Sequence, residues 1–496
     1  MGSAGHTAEQ ARKRVEKLAT GKIGRLLLEY SWPALVAMSL NALYAVVDRF
    51  YIGKGCGEDA MAGLTLTFPV MMLFGAFGVF VGAGHAALLS IKLGEGNRTA
   101  CEKLLGELVA LKLLLFAVLP PLVFFNLDTV LGWCGGVKVS AEAFSCAKRY
   151  LQLVLFFHVF SHLSFGLSAM MRSEGSAIRS MMCMVVGFGA NLVLDPVFIF
   201  GFGMGIEGAA WATNLSMAMS CAFALCHYLR GRSAVRFRLR RIGLYREFVW
   251  RAGAIGFAPF LQHLLGAAIN VSLSAAFAKW APDESSATTQ IASLGVIQSM
   301  LILVLMPVLG AQQGLQPIIG YNWGAHNYRR VRETVMTGLW MTTAIVVAAC
   351  VIQTVPPLPE WMARMFVASD NPGLLKLAAS DLQICNCMLW CISLNIVATT
   401  YFQSIGKPMT AIVLSTLRQG VCMLPVIWFL PNFMQNKTLA IWLSMPISDV
   451  ACCLMTVVPF ALHMRFLSAV RAKKRRNHSP GICQLERVPR TSTGIE

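Results

Sequence analysis

Apolar residues along the 496-residue chain gather in long runs, such as 104–124, 151–170 and 331–351, divided by short polar or basic stretches. A helix of about 20 such residues crosses the roughly 30 Å hydrocarbon layer of a bilayer. The pattern predicts twelve spans: 26–47, 60–91, 104–124, 150–170, 176–200, 206–229, 249–279, 286–320, 331–353, 379–402, 406–430 and 438–464. The second and eighth are too long for one perpendicular crossing, so they should tilt or run on into the aqueous layers. A soluble all-helical protein would carry a polar stripe on most helices, and these runs do not. The expectation is an all-α polytopic membrane protein. The first 25 residues are polar and basic, without the apolar core of a signal peptide, and the tail from about residue 477 reads as disordered.

Composition agrees with that picture. The chain is 56% hydrophobic and 13% charged, with mean hydropathy +0.61, whereas soluble proteins carry about 25% charged residues. Its net charge of +18 is informative mainly through its placement. With residues near a span end counted to the adjoining connection, 31 of the 42 Lys and Arg fall on the termini and the even-numbered connections, and 9 on the odd-numbered ones. Basic residues are retained in the cytoplasm, so both termini are expected there, in a plasma or inner membrane. The runs "RGRSAVRFRLRR" (230–241) and "RAKKRR" (471–476) then suit topology and anionic lipid rather than nucleic acid.

Several chemistries find no motif. The fifteen cysteines are scattered through the spans with no zinc-ligand spacing, and packed thiols are the expectation. His158 and His162 stand four residues apart without an apparent third ligand, which suits cavity lining or an interhelical bond better than a transition metal. No P-loop is present, nor a metalloprotease or serine-hydrolase signature. The expectation is therefore a non-enzyme without a cofactor, driven by an existing gradient.

The chain also repeats. "GHAALLSIKLGEGN" (84–97) aligns with "GLQPIIGYNWGAHN" (314–327), pairing Gly84, Gly94 and Asn97 with Gly314, Gly324 and Asn327. A near-equal shift pairs Gly175 with Gly406 and Trp211 with Trp442. Six spans per repeat would make two lobes related by a pseudo-twofold along the membrane normal, with a substrate cavity between them. The expected divisions are an N-terminal cytoplasmic segment (1–25), an N-lobe (26–229), a basic linker (230–248), a C-lobe (249–464) and a basic tail (465–496).

Acids are rare within the spans, and two stand out. Asp48 closes the first span, and Asp195 lies in the fifth within "NLVLDPVFIF" (191–200). A charged residue at mid-membrane costs roughly 2.5–3.5 kcal/mol on insertion scales and usually faces a cavity. Asn191 and Asp195 share a helix face, as do Tyr44 and Asp48. Pro196 frees the carbonyl of Leu192 from its helical donor. Two carboxyls, an amide, a hydroxyl and a free carbonyl could bind Na⁺, and two buried acids side by side equally suit a proton.

Segment 171–213 resembles the fifth and sixth helices of the multidrug and toxic compound extrusion (MATE) family. "QGLQPIIGYNWGAHNYRRVRE" (313–333) resembles its eighth-helix signature, and "YSWPALVAMSLNALYAVVDRFYIG" its first helix. The likeness runs from about residue 22 to 468 and has the flavour of the bacterial drug-export branch. It implies twelve helices in two six-helix lobes and cation-coupled export. Carried over by position, the cation site falls on Asp48, Asn191, Asp195 and Thr213, with Tyr44 as a further member of the network. Pro33 matches a proline at which the first helix is proposed to bend, and Pro196 is a second candidate hinge. Some branches place acids in the seventh and tenth helices. Here those spans offer Gln262, His263, Asn270, Asn386 and Asn395, with Asp381 only at an edge, so no second-lobe coupling is expected. The amides Gln262, Gln290, Gln298 and Asn395 are candidates for the substrate cavity. Arg418 could snorkel, pair with a helix end or line that cavity.

The resulting expectation is a monomeric antiporter that exchanges Na⁺ or H⁺ for amphipathic, often cationic, organic compounds, with lipid as its only other partner. A lipid-linked oligosaccharide flippase of the same superfamily and a metabolite carrier are the alternatives.

Overall fold

The computed structural model describes residues 2–134, 139–364 and 372–478, and no strand occurs among them. In chain order the main helices are α1 (Gly2–Thr20), α2 (Ile23–Gly94), α3 (Arg98–Phe124), α4 (Leu127–Trp133), α5 (Ala141–Ser173), α6 (Ala177–Pro196), α7 (Gly205–Leu229) and α8 (Arg246–Trp280). Then come α9 (Glu284–Gly324), α10 (Tyr328–Thr354), α11 (Leu358–Arg364), α12 (Pro372–Asn386), α13 (Ile392–Ser404), α14 (Pro408–Thr416), α15 (Leu424–Phe429) and α16 (Lys437–His478).

Among the described residues ten helices are long and apolar enough to cross a membrane, or eleven if the bent α9 counts as one span, which leaves the leading arm of α2 as the predicted span outside that count. The segment predicted as the first span is the leading arm of α2. That helix continues into the second span and is broken only at Gly57, where φ is 84°. It passes Pro33 with helical dihedrals, so the break lies at the glycine and not at the proline. Helix α9 bends by 40° between Leu301 and Leu305, next to Pro307, which lacks the amide proton to hold the preceding turn. The tenth span is interrupted, with a 3₁₀ turn at Leu389–Cys391 between α12 and α13.

Two terminal segments differ from expectation. Residues 1–25 are not merely a polar leader: α1 is helical, and its Leu18 is fully buried among Leu26, Leu27, Leu315 and Ile318. Arg14 donates to Ser176 Oγ at 2.8 Å, while Asn322 Nδ2 donates to the Leu18 carbonyl at 3.0 Å. The helix therefore ties to both halves of the bundle. At the other end α16 runs through His478, past the boundary expected at 465, and the tail beyond lies outside the described residues.

The halves meet with the reciprocity of a two-fold. A Cβ at Gly94 would fall 2.0 Å from the carbonyl oxygen of Tyr321, and one at Gly324 would fall 2.0 Å from that of Ile91. These are the same two repeat positions taken from either side. Likewise Gly84 abuts Ala252 and Gly314 abuts Ser31. Only a residue without a side chain allows backbones this close, so the glycines that revealed the repeat also seal the end of the bundle bearing the termini.

The linker belongs to the first half. Buried Glu174 accepts from His227, Ser233 Oγ and the amide of Ala234. Buried Glu107 contacts His85 Nε2 at 3.2 Å and accepts from the amide of Tyr245 at 2.9 Å. Each end of 230–248 is thus pinned by a carboxylate of the first half, and Val235 and Phe248 pack into that half's core.

Candidate functional site

Pro196 ends α6, and the next turn widens into a π-helix, Val197–Gly201. Asp195 and Asn191 sit just before it on one face, both buried, with Asn191 Nδ2 donating to Asp195 Oδ1 at 3.1 Å. Widened turns of this kind are frequent at functional sites. The leading arm of α2 brings buried Asp48 against them, close enough for the two carboxyls to share a hydrogen. Tyr44, one turn earlier, stacks on Phe188 of α6 with ring centroids 5.3 Å apart. From α7 the hydroxyl of Thr213 lies beside those of Tyr44 and Tyr150.

One oxygen on each of the four predicted residues is buried without a hydrogen-bond partner: Asp48 Oδ1, Asn191 Oδ1, Asp195 Oδ2 and Thr213 Oγ1. No Lys or Arg among the described residues makes an ion pair with either acid. Buried polar atoms are almost always paired, and a buried carboxylate without a countercharge is costly. Four orphaned oxygens from three spans at one point form a donor set that a small cation or a proton would satisfy. Sequence reasoning overlooked Tyr150. Its signal was a tyrosine at the polar start of the fourth apolar run.

A cavity of about 240 Å³ adjoins the cluster. Its lining comes wholly from the first half, and its wall includes Asn41, Tyr44, His158, Met184, Phe188 and Thr213. A separate cavity of about 400 Å³ lies between the halves, with Ile91 and Lys92 on one side and Trp250 and Trp323 on the other. Methionine and aromatic walls repack around varied apolar shapes.

The four candidate cavity amides separate. Gln262 is exposed on α8, and Gln298 Nε2 donates to Asn270 Oδ1 at 2.7 Å. Gln290 and Asn395 are buried in the second half and engaged there. Gln290 accepts from Trp442 Nε1 at 2.8 Å, and Asn395 donates to the Leu414 carbonyl at 2.9 Å. Arg418 neither snorkels nor caps a helix: its Nε donates to Asp449 Oδ1 at 2.6 Å, inside a second π-helical stretch, Leu417–Met423. Asp449 is a buried acid in the twelfth span that the search for membrane acids missed, although "PISDVACC" (446–453) displays it. Asp381 is likewise buried and accepts from Ser293 Oγ at 2.7 Å. Among the described residues every cysteine is free, and no three His, Cys, Asp or Glu gather as metal ligands.

Such a bundle of apolar helices, with an acid cluster and a cavity at membrane depth, defines a multi-pass membrane protein of the transporter type. The MatE family model matches residues 33–197 and again 265–429, and the chain belongs to that family. It is 23% identical over 439 residues to the multidrug export protein MepA of Staphylococcus haemolyticus strain JCSC1435, covering 88% of this chain and 92% of the relative. MepA of Staphylococcus aureus strain MRSA252 is 23% identical over 433 residues, covering 87% and 92%. Among solved structures, a MATE crystal structure in the bent conformation superposes with a TM-score of 0.84 at 21% identity, over 93% of this chain and 99% of the other. An outward-facing MATE family transporter gives a TM-score of 0.82 at 20% identity, over 91% and 98%. At this identity the superpositions speak for the fold. The double match gives the internal repeat an independent footing.

Proposed function

We propose that the protein is a cation-coupled antiporter that exports amphipathic, often cationic, organic compounds by alternating access. The observation that carries the reading is the convergence of four unpartnered, buried oxygens from three spans beside a Met- and Phe-walled cavity. The relatives named for multidrug export support the direction and class of cargo. The charge bias of the connections supports a plasma-membrane protein with both termini in the cytoplasm. The glycine-sealed end is then the cytoplasmic one, and this conformation is closed to the cytoplasm.

Na⁺ or a proton arriving from outside neutralises the Asp48 and Asp195 pair. That rearranges the hydrogen bonding of the first, fifth and sixth spans and weakens the hold on the exported compound. The seal then opens inward, the cation leaves down its gradient, and a new molecule binds. Coupling follows because a ligand shifts a two-state equilibrium only by its differential affinity for the two states. The test is efflux of a cationic dye from vesicles with an imposed Na⁺ or proton gradient. Asp195→Asn should bind the dye yet lose gradient-driven efflux, and wild-type coupling in that variant would sink the role given to the acid. The gradient that drives the wild type names the ion.

A further inference from the structure

The same cavity has a second chemical pole that the antiport reading does not use. His158 lines the cavity wall. Behind it lies His162, one helical turn on, with ring centroids 4.6 Å apart. Phe74 packs edge-on against both rings, at 5.0 and 6.4 Å, and fixes the pair. His162 is 8% exposed, and its Nδ1 has no hydrogen-bond partner.

The third member is Lys112, from the middle of α3. It is 0% exposed, and its ammonium donates to the Gly78 carbonyl at 2.6 Å. A Cβ at Gly78 would lie 3.5 Å from the His162 ring and 3.9 Å from Lys112 Nζ, so the two basic groups share one small space. A Cβ at Gly166 would press within 3.2 Å of the lysine stem, so the room for Lys112 depends on that glycine. No acid among the described residues pairs with Lys112 or with either histidine of this cluster. Glu107, on the same helix, is engaged with His85 and Tyr245 instead.

A lysine at this depth without a countercharge gains nothing for stability, because a buried charge is tolerated only when it is paired. Three basic groups in one place, one of them on the cavity wall, leave the countercharge to be supplied by whatever enters. The Asp48 and Asp195 group reaches the same cavity through Tyr44 and Thr213. The cavity is therefore bipolar, with an acidic cluster at one part of its wall and a basic cluster at another.

We propose that His158, backed by His162 and Lys112, is an anion subsite that takes the carboxylate of zwitterionic or acidic substrates. The proposal rests on the export reading for the word substrate, while its binding component stands alone. The carboxylate accepts from His158 and gives the buried ammonium of Lys112 the negative neighbour it lacks. An amine on the same molecule can then face the acids. Purely cationic compounds leave the subsite empty and are held by the aromatic and Met walls.

The experiment uses the purified full chain in lipid nanodiscs and two dyes, a rhodamine with a free carboxylate and the methyl ester of the same dye. Binding is followed by fluorescence anisotropy. Lys112→Met keeps the length of the side chain and removes its charge, and His158→Gln keeps a hydrogen-bond donor and removes the imidazole. Each should weaken the acid dye about tenfold, the scale of one charge-assisted hydrogen bond, and leave the ester within twofold of wild type. Equal losses for both dyes, or no loss for the acid dye, would overturn the subsite. If Lys112→Met does not fold, His158→Gln decides alone. Failure of wild-type vesicles to export the ester would count against the export reading and leave the binding comparison to judge the subsite.

Discussion

The two halves share a skeleton and differ in what they do with buried charge. Gly175 and Gly406, paired by the repeat, have φ of 92° and 72°, and Asn97 and Asn327 both begin helices. Each half widens into a π-helix, one after Asp195 and one around Arg418. In the first half the acids beside that widening face each other with oxygens left unpartnered. In the second, Arg418 reaches Asp449 at 2.6 Å and gives that acid a countercharge, although Asp449 Oδ2 is itself unpartnered and buried Asp381 holds only the Ser293 hydroxyl. An open donor set can exchange a ligand, whereas a closed ion pair can only hold helices together. The Arg418–Asp449 ion pair, which the first-half acids lack, is the physical argument for placing the proposed coupling in the first half.

The largest effect should come from breaking the closed pair. Asp449 is 1% exposed, so Arg418→Met leaves a carboxylate buried without compensation, at a cost of about 3–5 kcal/mol. Thermal unfolding of the detergent-solubilised protein should register it as a large fall in Tm. Removing both charges in Arg418→Met/Asp449→Leu should recover most of the loss. In the first half Asp195→Asn should leave Tm unchanged or raised, because it takes away one of two neighbouring buried acids that make no ion pair. Equal losses from Asp195→Asn and Arg418→Met would erase the distinction between the halves.

An intermediate effect tests the contact at which the halves meet. Gly324→Ala sets a methyl 2.0 Å from the backbone oxygen of Ile91, where no side chain can give way. Overpacking of that kind costs about 1–3 kcal/mol, and the strain is relieved if the seal opens. Spin labels on α1 and α10 should report a population with this end open, and Gly94→Ala, its mate across the two-fold, should act alike. Gly75→Ala, with nothing within 4 Å, should leave the distances unchanged and Tm unchanged or slightly raised. A response to Gly324→Ala without one to Gly94→Ala would mean that the seal is not reciprocal.

Much of this was legible in the chain because lipid is an undemanding reader. Long apolar runs report spans, and an acid inside one of them is conspicuous, so Asp195 and Asn191 were visible at once. Thr213 was not visible on physical grounds, since a threonine in an apolar helix is ordinary, and it entered only through family likeness. The break at Gly57 falls in the polar connection expected between the first two spans, at 48–59, but that the helix runs on to either side of it as one element was not legible. Gln290 and Asn395 misled because a buried amide reads the same whether it lines a cavity or ties two helices. Asp449 is as conspicuous inside the twelfth run and was passed over, while its pairing with Arg418, 31 positions away, is not legible in sequence. Lys112 lies inside the apolar run 104–124, but that it has no acid beside it is a fact of three dimensions.

The smallest effect bears on how closely the halves were kept alike. After each glycine seal the chain turns through the same bonds: Glu95, Gly96 and Asn97 donate to Ile91, Leu93 and Lys92, and Ala325, His326 and Asn327 donate to Tyr321, Trp323 and Asn322. The left-handed position in that turn is Gly96 in the first copy, at φ 73°, and His326 in the second, at φ 54°. A side chain there strains the turn, and His326 is steadied by a contact of 3.1 Å between its Nδ1 and the Tyr328 hydroxyl. The helix that follows is capped less well: Asn97 accepts from Ala100 at 3.0 Å, Asn327 from Arg330 at 3.5 Å. Loss of a good N-cap costs about 1 kcal/mol, and a bond at the edge of hydrogen-bonding range contributes less. Asn97→Ala should therefore lower Tm measurably and Asn327→Ala by no more than half as much. Equal shifts would mean that the second cap is tighter in the membrane than its geometry here, and that the copies diverged only in their charges.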